Sequence, residues 1–290
     1  MRDVSRAVLV TGASSGIGRA TAQRLSSRGW PVYATARRLE SIADLQDAGC
    51  TTLRLDATNL ASISHAVARV EEGEGAVGVL VNNAGFHQSG AIESVPMDKV
   101  RLQFETNVFG LIELTRRALP GMRRQGWGRI VNVSSMGGKL TLPGGGYYHA
   151  TKHALEAISD ALRFEVAGFG VDVVVIEPGI IWTRLAERAA AEAELHGDGA
   201  YAAFDAAIVA QLSGAYVRRG MMRFLGRSPE AVAAVIEKAV TAARPRVRYR
   251  VSAAGRLLMT ARKIAPDRVW DAYLRRGWPR PGADELDEAG

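Results

Sequence analysis

At 290 residues, with 47% hydrophobic and 23% charged positions, the chain can bury a large core and has the composition of an ordinary globular protein. No apolar run reaches the ~18 residues of a membrane span, residues 1–6 lead into a strand without a signal-type segment, and the single Cys50 excludes an internal disulfide, so a cytoplasmic protein is expected. The net charge of +7 is concentrated between residues 243 and 280, where eleven basic side chains face two acidic ones and leave the remainder near −2, which is not the footprint of a nucleic-acid binder.

The chain opens with an apolar run at 7–10 that predicts a buried strand. It feeds Thr11-Gly12-Ala13-Ser14-Ser15-Gly16-Ile17-Gly18, and a helix continues through Ala20 and Leu25 to Gly29. Glycines in a strand-to-helix turn permit positive φ and close backbone approach, so the helix amides can hold a pyrophosphate. The spacing is Gly-x-x-x-Gly-x-Gly; between a strand and a helix it points to a dinucleotide, the bland alternative being a tight βα connection. A second strand over 31–36 ends in Arg37-Arg38, followed by a helix over 38–48. No carboxylate stands there for a ribose 2′-hydroxyl, while two guanidiniums can fork a 2′-phosphate; the expected cofactor is NADP(H), with NAD(H) possible.

A third strand, 51–55, places Asp56 and Ala57 at the carboxyl edge of a sheet. A helix over 60–71 and a strand over 77–81 follow, the latter ending in Asn82-Asn83-Ala84-Gly85, whose small residues suit a backbone lying against a cofactor. A long helical stretch, 97–124, carries Val100, Phe104, Val108, Leu111 and Leu114 on one face. Asn107 sits in its middle, an unfavoured place unless its side chain is employed. The strand 129–134 leads to Ser135 and a glycine-rich loop, and the next helix begins with Tyr148 and Lys152. At i and i+4 these share a helix face, and a nearby ammonium favours phenolate, the requirement of a tyrosine acting as general acid or base. A sixth strand, 171–176, ends in Pro178-Gly179. This unbroken βα alternation predicts an α/β fold: one Rossmann-type, doubly wound parallel sheet of about seven strands with helices on both faces, spanning 1–290 as a single domain.

From 184 to 228 the pattern changes to alanine-rich helices with Leu185, Phe204, Ile208, Leu212, Tyr216, Met221, Met222, Phe224 and Leu225. Following a strand's carboxyl end, this insertion is expected to fold over the cleft as a lid enclosing a lipophilic small-molecule substrate. A helix over 229–243 and a strand over 247–251 precede a basic extension, 252–290, whose amphipathic part runs from 255 to 276 and is interrupted by Pro266. Its Leu257, Leu258, Trp270 and Tyr273 suit a peripheral membrane contact, packing on the core or a subunit contact.

Taken together, Thr11-Gly12-x-x-x-Gly16-x-Gly18, Asp56, Asn82-Asn83-Ala84-Gly85, Asn107, Ser135, Tyr148-x-x-x-Lys152 and Pro178-Gly179 with Thr183 make the sequence from about 7 to 183 resemble the short-chain dehydrogenase/reductase family. The resemblance implies that Tyr148 exchanges a proton with the substrate oxygen, Ser135 hydrogen-bonds that oxygen, Lys152 lowers the tyrosine pKa and holds the ribose, and Asn107 anchors a water relaying protons to Lys152. It also implies cofactor contacts from Gly12, Ser14, Ser15, Gly16, Ile17, Gly18, Arg37, Arg38, Asp56, Ala57, Asn83, Ala84, Gly85, Pro178, Gly179 and Thr183. The family's serine lies thirteen positions before its tyrosine, which selects Ser135 over Ser134; Tyr147 has Thr151 four residues on, which selects Tyr148. Within the family the chain looks like the hydroxysteroid and retinol dehydrogenase branch. An NADP(H)-dependent oxidoreductase acting on the alcohol or ketone of a steroid, retinoid or long-chain carbonyl compound follows as the expectation, with a 3-ketoacyl thioester reductase or a non-catalytic redox sensor as alternatives. No metal is implied, and a homodimer or homotetramer is expected.

Overall fold

The computed structural model describes residues 4–183, 189–195, 199–215 and 226–281. Strands β1 (Val8–Val10), β2 (Val32–Ala36), β3 (Thr51–Arg54), β4 (Val79–Asn82), β5 (Gly128–Val133), β6 (Val171–Glu177) and β7 (Arg248–Arg250) form one sheet in the order β3-β2-β1-β4-β5-β6-β7, every neighbour parallel. Alternation with period two decides which side chain faces which layer. Val8 and Val10, Val79 and Val81, and Val174 and Ile176 enter one core with Leu25, Val232 and Ile236. Leu9, Leu80, Ile130 and Val173 enter the other, with Ile63, Val70, Leu114 and Met122. The first core is covered by α1 (Gly16–Ser26) and α7 (Pro229–Thr241), the second by α2 (Leu60–Glu74), α4 (Gly110–Gln125) and α5 (Gly146–Val166); α6 (Ala202–Ala215) lies in the insertion. The strand order reverses between β1 and β4, and their carboxyl ends open the crevice in which α/β sheets of this kind bind ligands.

Two expected helices come out differently. The stretch expected as a helix over 38–48 is a 3₁₀ helix, Leu39–Leu45, whose buried residues Ile42 and Leu45 are three apart and share one face at three residues per turn. The long stretch over 97–124 is α3 (Met97–Phe104) and α4 separated by a π turn, Glu105–Phe109, with Asn107 buried in it. A π turn widens the helix by one residue. Here it aims the asparagine amide at a neighbouring loop: Oδ1 accepts from the Phe86 amide at 3.0 Å, and Nδ2 donates to the Phe86 carbonyl at 2.9 Å.

The basic extension forms α8 (Ala253–Ile264) and α9 (Asp267–Leu274), separated at Pro266 as the sequence implied. Trp270 is buried with Leu140 and Met259, and Leu258 and Leu274 pack around them. The tryptophan offered for a membrane contact is therefore committed to the loop after β5. Leu257 is 71% exposed. Among the described residues no helix is long and apolar enough to cross a membrane. Of the apolar insertion residues, Leu185, Tyr216, Met221, Met222, Phe224 and Leu225 lie outside the described residues, as does the end of the basic extension, 282–290.

Candidate active site

The turn from β1 into α1 is fitted to close backbone approach. Gly12 and Gly16 have φ of 69° and 59°, where other residues are strained. Gly18 is helical, and a Cβ there would stand 2.4 Å from the Gly12 carbonyl oxygen and 2.5 Å from Asn83 Nδ2, so glycine lets α1 close onto the turn. Asn83 fastens the arrangement by donating to the Thr11 and Gly12 carbonyls at 2.9 and 3.2 Å. Thr11 Oγ1 accepts from the Asn83 and Ala84 amides, both at 2.9 Å. Asn83-Ala84 thus braces the turn, a structural use beside the cofactor role expected of this asparagine-rich stretch.

A cavity of about 1190 Å³ lies over this crevice. Its lining includes Gly12, Ser14, Ser15, Gly16, Ile17 and Arg37 at one end. Asp56, Ala57, Asn83, Ala84 and Gly85 border its floor, and Pro178, Gly179 and Thr183 the β6 side. Arg37 therefore borders the cavity, whereas Arg38 does not; it is exposed as the residue preceding the 3₁₀ helix, and Ser41 binds its carbonyl. Gly18 also lies outside the lining, because its lack of a side chain serves helix packing. Asp56 Oδ1 accepts from Thr58 at 2.8 Å and from the Thr58 amide at 3.0 Å, which holds the β3 exit. The cavity fits a dinucleotide: the positive-φ glycines, the open amino end of α1 and a guanidinium stand where phosphates would lie, and a Cβ on Gly85 would approach Asn107 Oδ1 to 3.0 Å and Lys152 Nζ to 3.8 Å. Among the described residues no group of three metal-ligating side chains is close enough to hold a metal ion.

Ser135, Tyr148 and Lys152 all line the middle of this cavity. Ser135 caps a 3₁₀ turn, and its Oγ accepts from the Gly137 amide at 3.0 Å, leaving its own proton to donate. Ser134 is 4% exposed, with an Oγ that has no partner among the described residues. Tyr148 is buried at the cavity wall, while the Tyr147 hydroxyl is outside it, on the Ile92 carbonyl at 3.2 Å. Lys152 Nζ donates to the Val133 carbonyl at 2.9 Å and stands 5.8 Å from the centre of the Tyr148 ring. Burial pushes the Lys152 ammonium down to about 8, and the Glu156 carboxylate one turn on opposes that shift. Asn107 stays behind the lining and reaches Thr151 Oγ1 at 3.2 Å, so it touches α5 as well as the Phe86 loop.

The sequence missed His87. Its ring stacks on Tyr148 with centroids 4.3 Å apart and planes 20° from parallel. His149 lies 6.4 Å away, edge on, with Nδ1 on the Gly137 carbonyl at 3.2 Å. Burial pushes His87 down to about 3 and His149 to about 4, so both are neutral at physiological pH. The far part of the cavity is lined by Leu142, Ile208, Leu212, Leu258, Leu274 and Trp278, with Glu192, Gln211 and Arg276 as its polar members. Described parts of the insertion thus meet the C-terminal helices there: Phe204 packs on Trp278 with ring centres 5.7 Å apart, and Gln211 Nε2 donates to the Gly277 carbonyl at 3.3 Å.

Residues 6–194 match the short chain dehydrogenase family. The chain is 34% identical over 275 residues to an NADPH-dependent 3-dehydrocapnine reductase of Ornithobacterium rhinotracheale, spanning 92% of this chain and 95% of that protein. It is 40% identical over 173 residues to a 3-ketodihydrosphingosine reductase of Bacteroides thetaiotaomicron, where the match spans 59% of this chain and 62% of the relative. Among solved structures, a short-chain dehydrogenase from Streptomyces avermitilis superposes with a TM-score of 0.79 at 35% identity, over 95% of this chain and 97% of the other.

Proposed function

The chain belongs to the short-chain dehydrogenase family, and on that premise we propose that it is an NADP(H)-dependent oxidoreductase reducing a ketone on a long-chain, lipophilic substrate to a secondary alcohol. One observation carries the reading: Tyr148, Ser135 and Lys152 stand on the wall of a cavity whose far part is apolar. NADP(H), when bound, supplies or accepts the hydride. Arg37 would meet its 2′-phosphate, the amides at Gly16 and Ile17 its pyrophosphate, and Thr183 and Lys152 its nicotinamide half. Both curated relatives described above carry names of ketone reductases, one of them NADPH-dependent, in keeping with this choice.

The protein's own part is to place and polarise the substrate oxygen. Ser135 donates a hydrogen bond to it, stabilising charge that develops during reduction. Tyr148 passes its phenolic proton to the same oxygen. Lys152, held beside the ring and anchored on Val133, stabilises the phenolate left behind. Asn107 supports the lysine side of the cleft through Thr151 and the Phe86 loop. Closure of the apolar side chains over the substrate excludes water from the transfer.

We place the described parts of the insertion and α8–α9 around the acyl or ring portion of the substrate, not at a membrane. Exposed Phe109 and Phe164, 52% and 86% exposed, suit self-association into a dimer or tetramer. Arg276 at the cavity's far part favours a second reading, a ketoacyl thioester whose carrier bears phosphate. The test is NADPH oxidation against a panel of long-chain ketones, steroid-like ketones and ketoacyl thioesters. Tyr148→Phe is expected to abolish turnover and to leave the Kd for NADPH within about threefold; a fully active variant refutes the assignment.

A further inference from the structure

His87 is a largely buried polar group in the site for which the reaction above has no use. Its backbone is fixed on both sides. Phe86 is gripped by Asn107 and by Gln103 Nε2 at 3.2 Å, while Gln88 Nε2 donates to the Glu192 carbonyl at 2.9 Å. A side chain between two such clamps has few alternatives to lying on Tyr148. Packing alone does not explain an imidazole there, because a phenyl ring would stack equally well.

The polarity also carries a cost. The ring as a whole keeps some exposure to the cavity, but Nε2 is sealed beside Gly145, 3.2 Å from where a Cβ would stand, and has no hydrogen-bond partner among the described residues. Ser89, two residues on and 1% exposed, also borders the cavity with an Oγ that lacks a partner there. A buried donor or acceptor left unmade is unfavourable, and two of them on one short loop at the cavity wall call for a partner from outside the chain's own described residues. His149 does not share this state, since its Nδ1 is placed on Gly137.

We propose that His87 is a specificity-determining residue: its imidazole hydrogen-bonds a hydroxyl or amino group on the carbon beside the substrate's carbonyl, while the face of the same ring holds Tyr148 in place. The inference rests on the ketone-reductase reading. Polar atoms on adjacent carbons stand about 3 Å apart and a hydrogen bond spans about another 3 Å, so a substituent beside a carbonyl held by Tyr148 comes within reach of a ring stacked 4.3 Å from it. A half-turn about χ2, a soft two-fold torsion in histidine, exchanges Nε2 with Cε1 and takes Nε2 out of its sealed place beside Gly145. A neutral imidazole has one donor and one acceptor nitrogen and therefore serves a hydroxyl or an amine. It also adds no second charge to that of Lys152 beside the phenol.

The experiment compares wild type, His87→Phe and His87→Ala on two probes, a long-chain 3-ketone and the same ketone bearing a 2-amino group, by NADPH oxidation. Wild type should favour the substituted probe by about tenfold or more in kcat/KM, the equivalent of one hydrogen bond. His87→Phe should keep its kcat on the plain ketone within about threefold and lose the preference, chiefly through KM. His87→Ala should lose kcat on both probes at unchanged NADPH affinity, because the phenol is no longer held. A preference that survives in His87→Phe overturns this proposal and leaves the reductase reading intact. Failure of wild type to reduce either probe overturns both.

Discussion

Replacing Gly18 by alanine separates a steric requirement from a generic intolerance of glycine loss. Gly18 has ordinary helical backbone geometry, so conformational strain is absent, and alanine alone would favour the helix by about 0.8–1 kcal/mol. The obstacle is the new Cβ, 2.4 Å from the Gly12 oxygen and 2.5 Å from Asn83 Nδ2, where real contacts do not fall below 3.0 Å. The gap to a backbone oxygen must open by at least 0.6 Å, which no side-chain rotation achieves, so α1 moves off the turn. Overpacking of this kind costs about 1–3 kcal/mol and the disturbed Asn83 bonds about as much again, for a net loss of about 1–5 kcal/mol after the helix gain. The same movement displaces the amides facing the phosphates, and misplacement of this size weakens positioning by about tenfold to a hundredfold. Thermal unfolding and NADPH titration by fluorescence read the two effects. Gly29→Ala is the control: its φ is 80° but nothing lies within 4 Å, so it should cost about 1–2 kcal/mol through strain alone and leave NADPH binding unchanged. A Gly18→Ala protein that binds NADPH within threefold of wild type would refute the reasoning.

Lys152→Met should abolish turnover and yet stabilise the fold at pH 7. The folded pKa near 8 lies below that of the unfolded chain, so desolvation costs stability while the lysine is protonated in both states, and stability rises with pH between about 8 and 10.4. Allowing for the lost bond to Val133, the expected gain is about 1–3 kcal/mol at pH 7, shrinking toward pH 10 in denaturant titrations. A variant less stable than wild type at pH 7 counts against this. For the cofactor, Arg37→Asp should weaken NADPH far more than NADH, while Arg38→Asp, outside the cavity, should change neither by more than about threefold. Equal losses from the two substitutions would show that the 2′-phosphate lies elsewhere.

The parallel sheet was legible because β1, β4, β5 and β6 are rich in Val, Ile and Leu, and β1 to β6 fall within a few residues of the periodic reading. What periodicity does not encode is where a helix changes its turn. Asn107 flagged the anomaly in the stretch after Met97, but the π geometry depends on the Phe86 backbone, which lies 21 residues upstream. The 3₁₀ segment at Leu39–Leu45 has the same origin, since two buried side chains three apart outweigh helix propensity. Motif spacing located Tyr148 and Lys152, whereas a lone histidine two residues after Gly85 has no periodic or spacing signal. Its meaning comes from the stack on Tyr148, a tertiary contact. Trp270 illustrates the limit of amphipathicity: the pattern revealed an apolar face but not that Leu140 and Met259 would cover it.

The placement of α5 shows why so much buried polarity surrounds Tyr148 and Lys152 without touching the cavity. Asn82 Nδ2 bonds Thr115 Oγ1 of α4 at 3.2 Å and Asn132 Oδ1 of β5 at 2.9 Å; Asn132 Nδ2 in turn bonds Ser159 Oγ of α5 at 2.8 Å. At the outer side, Arg248 of β7 meets Glu156 at 3.0 Å, Asp160 at 2.7 Å and Glu177 at 3.2 Å, and Lys139 reaches Glu156 at 2.7 Å. Apolar packing would hold α5 against the sheet but would let it slide, because Leu155 and its neighbours tolerate small shifts. Directional bonds do not: a one-residue slip of β5 would turn Asn132 to the other face and break the chain at both ends. Tyr148 and Lys152 sit on the first two turns of this helix, and Ser135 follows β5 directly. The distance between the serine and the tyrosine is therefore set by Asn132 and Ser159, groups that never meet the substrate.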